Sequence, residues 1–272
     1  MTNDIFNRLF DSAPSPTGKK FGFRYGDKGT HSSRTIMFEE LQQLLESHSG
    51  NVSREIYIKA VIDENCLGKH TAATRRLSLQ RLSELYGLDP DVPLFRIMCS
   101  LWSVNQQSRP QLAILLALAR DPLLRMTASP VIATPFEKEF ARQQMTDALA
   151  AGTSGRFNES VLDKIVRNAS SSWTQSGHLA GRARKFRKQI QVTYISCTYA
   201  LLLGYLQGLR GKALFESPWA KILDHDPSDL RELADDARRL GLIDVKESGS
   251  VLDISFPQLL TREERELLYE PH

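Results

Sequence analysis

From Thr35 onward, apolar residues recur at three- and four-residue intervals, the spacing of a helix that hides one stripe and shows the rest to water. Phe38, Leu41, Leu44 and Leu45 mark the first such helix, and Ser49-Gly50-Asn51 ends it. Ser53 is placed to cap a second, with Ile56, Ala60, Val61 and Cys66 tracking one face and Glu55 and Glu64 the other. Leu67-Gly68-Lys69 reads as a turn, because glycine takes the left-handed backbone a helix end needs. A longer helix over 71–86 draws its core contacts from Leu77, Leu79, Leu82 and Leu85, while Arg75, Arg76 and Arg81 fall on or beside its exposed face. Helix, glycine turn and basic helix outline a helix-turn-helix, although any two packed helices share that outline.

Asp89 to Pro93 breaks the pattern, and two more apolar helices follow around 94–104 and 110–119. MTASPVIATP at 126–135 is the expected joint between two domains, with a short strand at Val131-Ile132 as the alternative. Helices are expected again at 135–151, at 159–170 behind an Asn158 cap, and at 192–206. Near the C-terminus the period changes. Asp229 or Ser228 caps an amphipathic helix closed by Gly241, and two alternating segments, IDVKES and SVLDISF, meet around Ser248-Gly249 as a hairpin. The expected fold is mainly α: two helical lobes with helix-turn-helix-like units and a small C-terminal β-hairpin of winged-helix type. Residues 1–34 form an N-terminal extension, 35–130 the N-terminal helical domain and 131–272 the C-terminal one.

Charge sharpens this outline. Between Val166 and Phe215 stand eight bases (Arg167, Arg182, Arg184, Lys185, Arg187, Lys188, Arg210 and Lys212) and no acid, in a chain of net charge only +3. Such unevenness creates a local field whose usual partner is polyphosphate, the alternative being a solvated basic face. Five of these bases crowd into 182–188. On a helix they would cover more than half the circumference, and Arg184, Arg187 and Lys188 could line one side. Ser170, Ser171, Ser172, Thr174 and Gln175 just upstream can donate to phosphate oxygens. The stretch 216–272 has the opposite balance, fourteen acids against seven bases. Asp235 and Asp236 sit on the helix that would enter a groove, so the winged unit reads as a packing or protein-contact module.

The extension holds SAPSPTG at 12–18, a linker-like patch, then Phe21, Phe23 and Tyr25 among bases. Aromatic-plus-basic segments can grip nucleic acid by stacking, and a hairpin or flexible arm fits the same residues. VTYISCTYALLLGYL at 192–206 is too short for the roughly 20 residues that span hydrocarbon, and it is interrupted by Thr193, Ser196 and Thr198. It reads as a buried helix of a cytoplasmic protein that has no membrane segment. Three scattered cysteines form neither a disulfide framework nor a CxxC zinc site and fit a reducing compartment.

Catalytic signatures are missing. No phosphate loop, GxGxxG, HExxH or GxSxG occurs. His178, a lone histidine among Ser, Thr and Gln, suits a structural hydrogen bond or a phosphate contact better than a general base. The chain is expected to be no enzyme and to need no cofactor.

Two blocks carry a family resemblance. ENCLGKHTAATRRLSLQRL at 64–82, and SSSWTQSGHLAGRARKFRK with the following YALLLGYLQGLRGKALFESPWAKILD, within 170–224, resemble the BrxA family of BREX phage-defence systems. The likeness runs from about Thr35 to Leu260 and keeps both blocks in order; residues 1–34 lie before the family's usual start. It implies a non-catalytic, largely helical protein that binds double-stranded DNA beside a methyltransferase, an ATPase and a phosphatase-like protein. Carried onto this chain, the implied DNA contacts are Lys69, Arg75 and Arg76 in the first block. In the second they are Ser172, Arg182, Arg184, Lys185, Arg187 and Lys188. Two readings stand beside DNA binding: a protein adaptor that scaffolds a defence complex, and a helical binder of structured RNA.

Overall fold

Two segments that lack a polar face sit at the centre, as all-round apolar helices must. In the computed structural model, which describes residues 16–26, 28–48, 50, 52–249 and 251–269, every residue from Gln111 to Ala119 and from Ile195 to Leu206 is buried. Around this pair the chain runs α1 Pro16–Phe21, α2 Phe38–Ser47, α3 Arg54–Ile62, α4 Ala72–Tyr86, α5 Pro93–Trp102, α6 Arg109–Arg120, α7 Pro122–Met126, α8 Ala128–Ala133, α9 Arg142–Gly152 and α10 Glu159–Gln175. A small antiparallel pair follows, β1 Leu179–Ala180 with β2 Phe186–Arg187, then α11 Tyr194–Leu206, α12 Pro218–Lys221 and α13 Pro227–Arg239. The hairpin β3 Asp244–Ser248 and β4 Val251–Ser255 precedes α14 Arg262–Tyr269. The fold is mainly α with a small C-terminal β-hairpin.

The central contact is α6 against α11, with α4 and α5 packed on α6, and α12 and α13 packed on α11. Polar groups on α11 are satisfied where they lie: the Thr198 hydroxyl donates to the Tyr194 carbonyl at 2.7 Å and Tyr199 Oη to the Leu94 carbonyl at 3.0 Å. Thr193 caps the helix by accepting from Ser196 N–H. Among the described residues, no helix is long and apolar enough to cross a membrane.

Several boundaries differ from the sequence expectation. The stretch 126–135 holds α8 rather than a strand, with Val131 fully buried, and one hydrophobic core runs across it from Phe21 to Leu260. The helix expected from 135 starts only at Arg142, because residues 137–140 run beside β2 instead. There Arg187 N–H donates to the Lys138 carbonyl and Phe140 N–H to the Lys185 carbonyl, at 2.9 and 2.8 Å. On α3 Ala60 and Val61 are buried as expected, but Tyr57 rather than Ile56 opens the core face, its ring packed edge-on against Phe95. Asp226, rather than Ser228 or Asp229, is the N-cap of α13, since Pro227 takes the first helical position, where its missing N–H costs nothing.

The N-terminal segment is the largest correction. Residues 1–15, including most of the expected linker patch, lie outside the described residues, as do Ser49 and Asn51. From Pro16 the chain is packed, not loose. Phe21 and Phe23 are buried, Phe23 lies against Trp219 with ring centroids 5.9 Å apart, and Arg24 N–H donates to the Ala119 carbonyl. Those rings belong to the core, so base stacking by Phe21 and Phe23 is excluded.

Candidate nucleic-acid interface

The stretch 182–188 folds as a hairpin loop and strand, not as a helix. Gly181 has φ +107°, and a Cβ there would overlap the Arg184 carbonyl oxygen, so glycine is what lets the loop close. Alternation along β2 then sends successive side chains to opposite sides. Phe186 is half-exposed, while Arg187 is directed inward and is fully buried.

Burial of a guanidinium demands partners, and Arg187 has them. It pairs with the Asp224 carboxylate, donates through Nε to the Val131 carbonyl at 2.9 Å and through Nη1 to the His178 carbonyl at 3.2 Å. It is a core strut and not a DNA contact. Ser172 is corrected in the same way. Its Oγ accepts from Ile36 N–H at 2.9 Å and lies 2.8 Å from His31 Nε2, and the side chain is fully buried. His31 Nδ1 in turn lies 2.9 Å from Asp121 Oδ2. Ser, His and Asp in this order resemble a nucleophilic triad, but their exposures are 0%, 0% and 1%, which leaves a substrate no approach to the hydroxyl. The trio ties the N-terminal segment to α7 and α10.

His178 is also internal. Nε2–H donates to the Ile222 carbonyl at 2.8 Å, which leaves Nδ1 to accept from Ser176 Oγ at 2.8 Å. Burial, with the nearby Arg187 charge, pushes its pKa down to about 3 against the Ile222 hydrogen bond. A neutral, enclosed imidazole makes no phosphate contact.

The other cations of the second block face outward. Arg182 is exposed with no ion pair among the described residues. Arg184, 70% exposed, holds Glu139 with Nε at 2.8 Å from Oε1. Lys185 Nζ donates to the Gly181 carbonyl, and partial burial lowers its pKa. Lys188 pairs with Glu137 at 2.6 Å.

A groove of about 710 Å³ collects Arg182, Arg184 and Lys185 with Arg142 and Arg167, Ser170 and Ser171, and Glu139 on its wall. Arg142 opens α9, whose first-turn N–H groups add a partial positive charge at the same place. Asp163 binds both Arg142 and Arg167. With Glu139 also engaged, three of the five positive charges remain uncompensated among the described residues. Arg142 was not legible as a site residue, because only the fold carries it to the hairpin. Arg167 lay in the basic window, but nothing in the spacing set it apart.

The first block does not join this groove. Lys69 Nζ pairs with Glu40 at 3.0 Å, and Arg75 donates to the Ile62 carbonyl at 3.0 Å, closing the C-terminal end of α3. Of these three, Arg76 alone is exposed with no ion pair among the described residues, and it lines a different cavity, between α3 and α4. Among the described residues no three His, Cys, Asp or Glu side chains converge as a metal site. No protein-family model and no curated protein matches the chain.

Proposed function

We propose that the chain is a non-catalytic double-stranded DNA-binding protein that contacts the phosphate backbone through the groove between α9, α10 and the β1–β2 loop. One observation carries this reading. Three separate elements deliver five cations and two hydroxyls to one open groove whose acids are already engaged. Arginine forks and serine hydroxyls suit phosphate oxygens, and cations spaced along a groove suit a polyanion better than a single small ligand. The resemblance to the BrxA family adds the setting: an accessory factor of a BREX-type phage-defence system, beside methyltransferase, ATPase and phosphatase-like partners.

The acidic C-terminal unit stays off the duplex in this reading. Four of its bases are engaged by its own carboxylates, Arg231 by Glu247, Arg238 by Asp235, Arg239 by Asp236 and Arg262 by Glu266, and with fourteen acids against seven bases in 216–272 it offers phosphate little attraction.

The test is anisotropy of a labelled random-sequence duplex at low salt, with wild type and with R182E/R184E/K185E. Saturable binding lost in the variant supports the reading. Binding unchanged in the variant, or preference for a structured RNA over the duplex, removes it.

A further inference from the structure

The cavity lined by Arg76 differs in kind from the basic groove. Arg54, Ile58 and Ile62 stand at i, i+4 and i+8 along α3, and Arg76, Leu79 and Ser83 at i, i+3 and i+7 along α4, so two helical stripes face one trough of about 500 Å³. Its floor is apolar, with Tyr57 and Leu88 beneath, and Ile58 remains 38% exposed. At its rim stand Arg24, Arg54 and Arg76, all exposed and none ion-paired among the described residues. Glu84, the carboxylate on the wall, is taken by Arg81 at 2.7 Å and by the Thr30 hydroxyl at 3.0 Å. Arg24 donates to the Glu84 carbonyl and Arg54 lies near Glu55, but no carboxylate bridges any of the three among the described residues, and an aliphatic trough bordered by such cations is the complement of an aliphatic stripe bordered by carboxylates. The nine residues from Arg54 to Ile62 span about 12 Å, the length of two to three helical turns.

We propose that the trough between α3 and α4 is a docking site for an acidic amphipathic helix of a partner protein, whose aliphatic residues seat on Ile58, Ile62 and Leu79 while its carboxylates pair with Arg54 and Arg76. The helix-turn-helix-like unit is thus a protein-recognition element. With Lys69 and Arg75 committed inside the fold, its remaining charge borders apolar surface, an arrangement with no use for a sugar-phosphate backbone. The proposal does not depend on the DNA reading and can fail or stand without it.

The full chain, ¹⁵N-labelled, is titrated with a synthetic helix-favouring peptide of about fourteen residues, four turns, carrying Leu along one face and Glu on both flanks. A second peptide replaces every Glu with Lys. The expected result is saturable binding of the Glu peptide at least about tenfold tighter than the Lys peptide, with amide shifts at Ile58, Ile62 and Leu79. R54E/R76E reverses that preference, and I58Q weakens both complexes while circular dichroism stays native. Equal affinity for the two peptides, or no binding, overturns the proposal. So does a random duplex that shifts the same amides, which assigns the trough to DNA. A wild-type dimer that R54E/R76E converts to monomer overturns it in favour of a second copy.

Discussion

His31 Nδ1 lies 2.9 Å from Asp121 Oδ2, joining residues 90 positions apart in a site water does not reach. Burial raises the Asp121 pKa, but the His31 charge, its ring and backbone N–H groups and Leu124 N–H together outweigh burial and hold it below the usual carboxylate value. A carboxyl that binds its proton less readily when folded stabilises the fold fully above its unfolded pKa, about 3.9, and loses that contribution as pH falls through the folded pKa. In urea unfolding, the free-energy gap between wild type and Asp121→Asn is therefore largest near neutrality and narrows below about pH 4. A gap independent of pH would show that the carboxylate charge contributes nothing.

His178 sets a second acid window. Its folded pKa of about 3 lies below the unfolded value near 6.5, so between these limits the unfolded chain binds a proton that the folded chain refuses. Stability falls as pH drops through that window, by about 1.4 kcal/mol per pH unit from this group alone. His178→Gln flattens the decline over this range. An unchanged slope in the variant would contradict a neutral, buried His178.

Ser172→Ala tests whether that hydroxyl is internal wiring or a DNA contact. It strips Ile36 N–H of its acceptor and His31 Nε2 of its partner, a loss of about 1–3 kcal/mol in unfolding free energy. Duplex affinity of the folded variant is unchanged. A stable protein with weakened DNA binding would restore Ser172 to the interface.

Arg187→Ala takes the guanidinium partner from Asp224, a carboxyl whose pKa burial already raises. Removing one partner of a buried pair costs about 3–5 kcal/mol, visible as a lower urea midpoint with an unaltered m-value. Arg182→Ala, in exposed surface, leaves the midpoint in place. Equal midpoints for the two variants would contradict the opposite roles assigned to neighbouring arginines.

These contrasts show where sequence reading succeeds. The apolar runs at 110–119 and 192–206 signal helices, the second a buried one because its few hydroxyls stand among apolar residues on every side, and the change to alternation near 243–256 signals the C-terminal hairpin. Arg187 and Ser172 resist such reading. Arg187 owes its burial to Asp224, 37 residues on, and Ser172 owes its burial to His31, 141 residues back. Local composition places both among phosphate-seeking neighbours. Likewise 182–188 has helix-compatible residues, and only the strand-like run at 137–140 turns it into an edge. The groove exists because Arg142 and Arg167 arrive from other helices, a convergence no spacing rule contains.

The central claim is that the α9–α10–hairpin groove binds duplex backbone by charge, and the salt dependence of duplex affinity tests it most directly. With three uncompensated cations, and five if phosphate displaces Asp163 and Glu139, log K against log salt should fall with a slope between about −2.7 and −4.5. R182E/K185E should make that slope shallower by about 2. An affinity insensitive to salt, or a slope unchanged in the variant, would contradict the account.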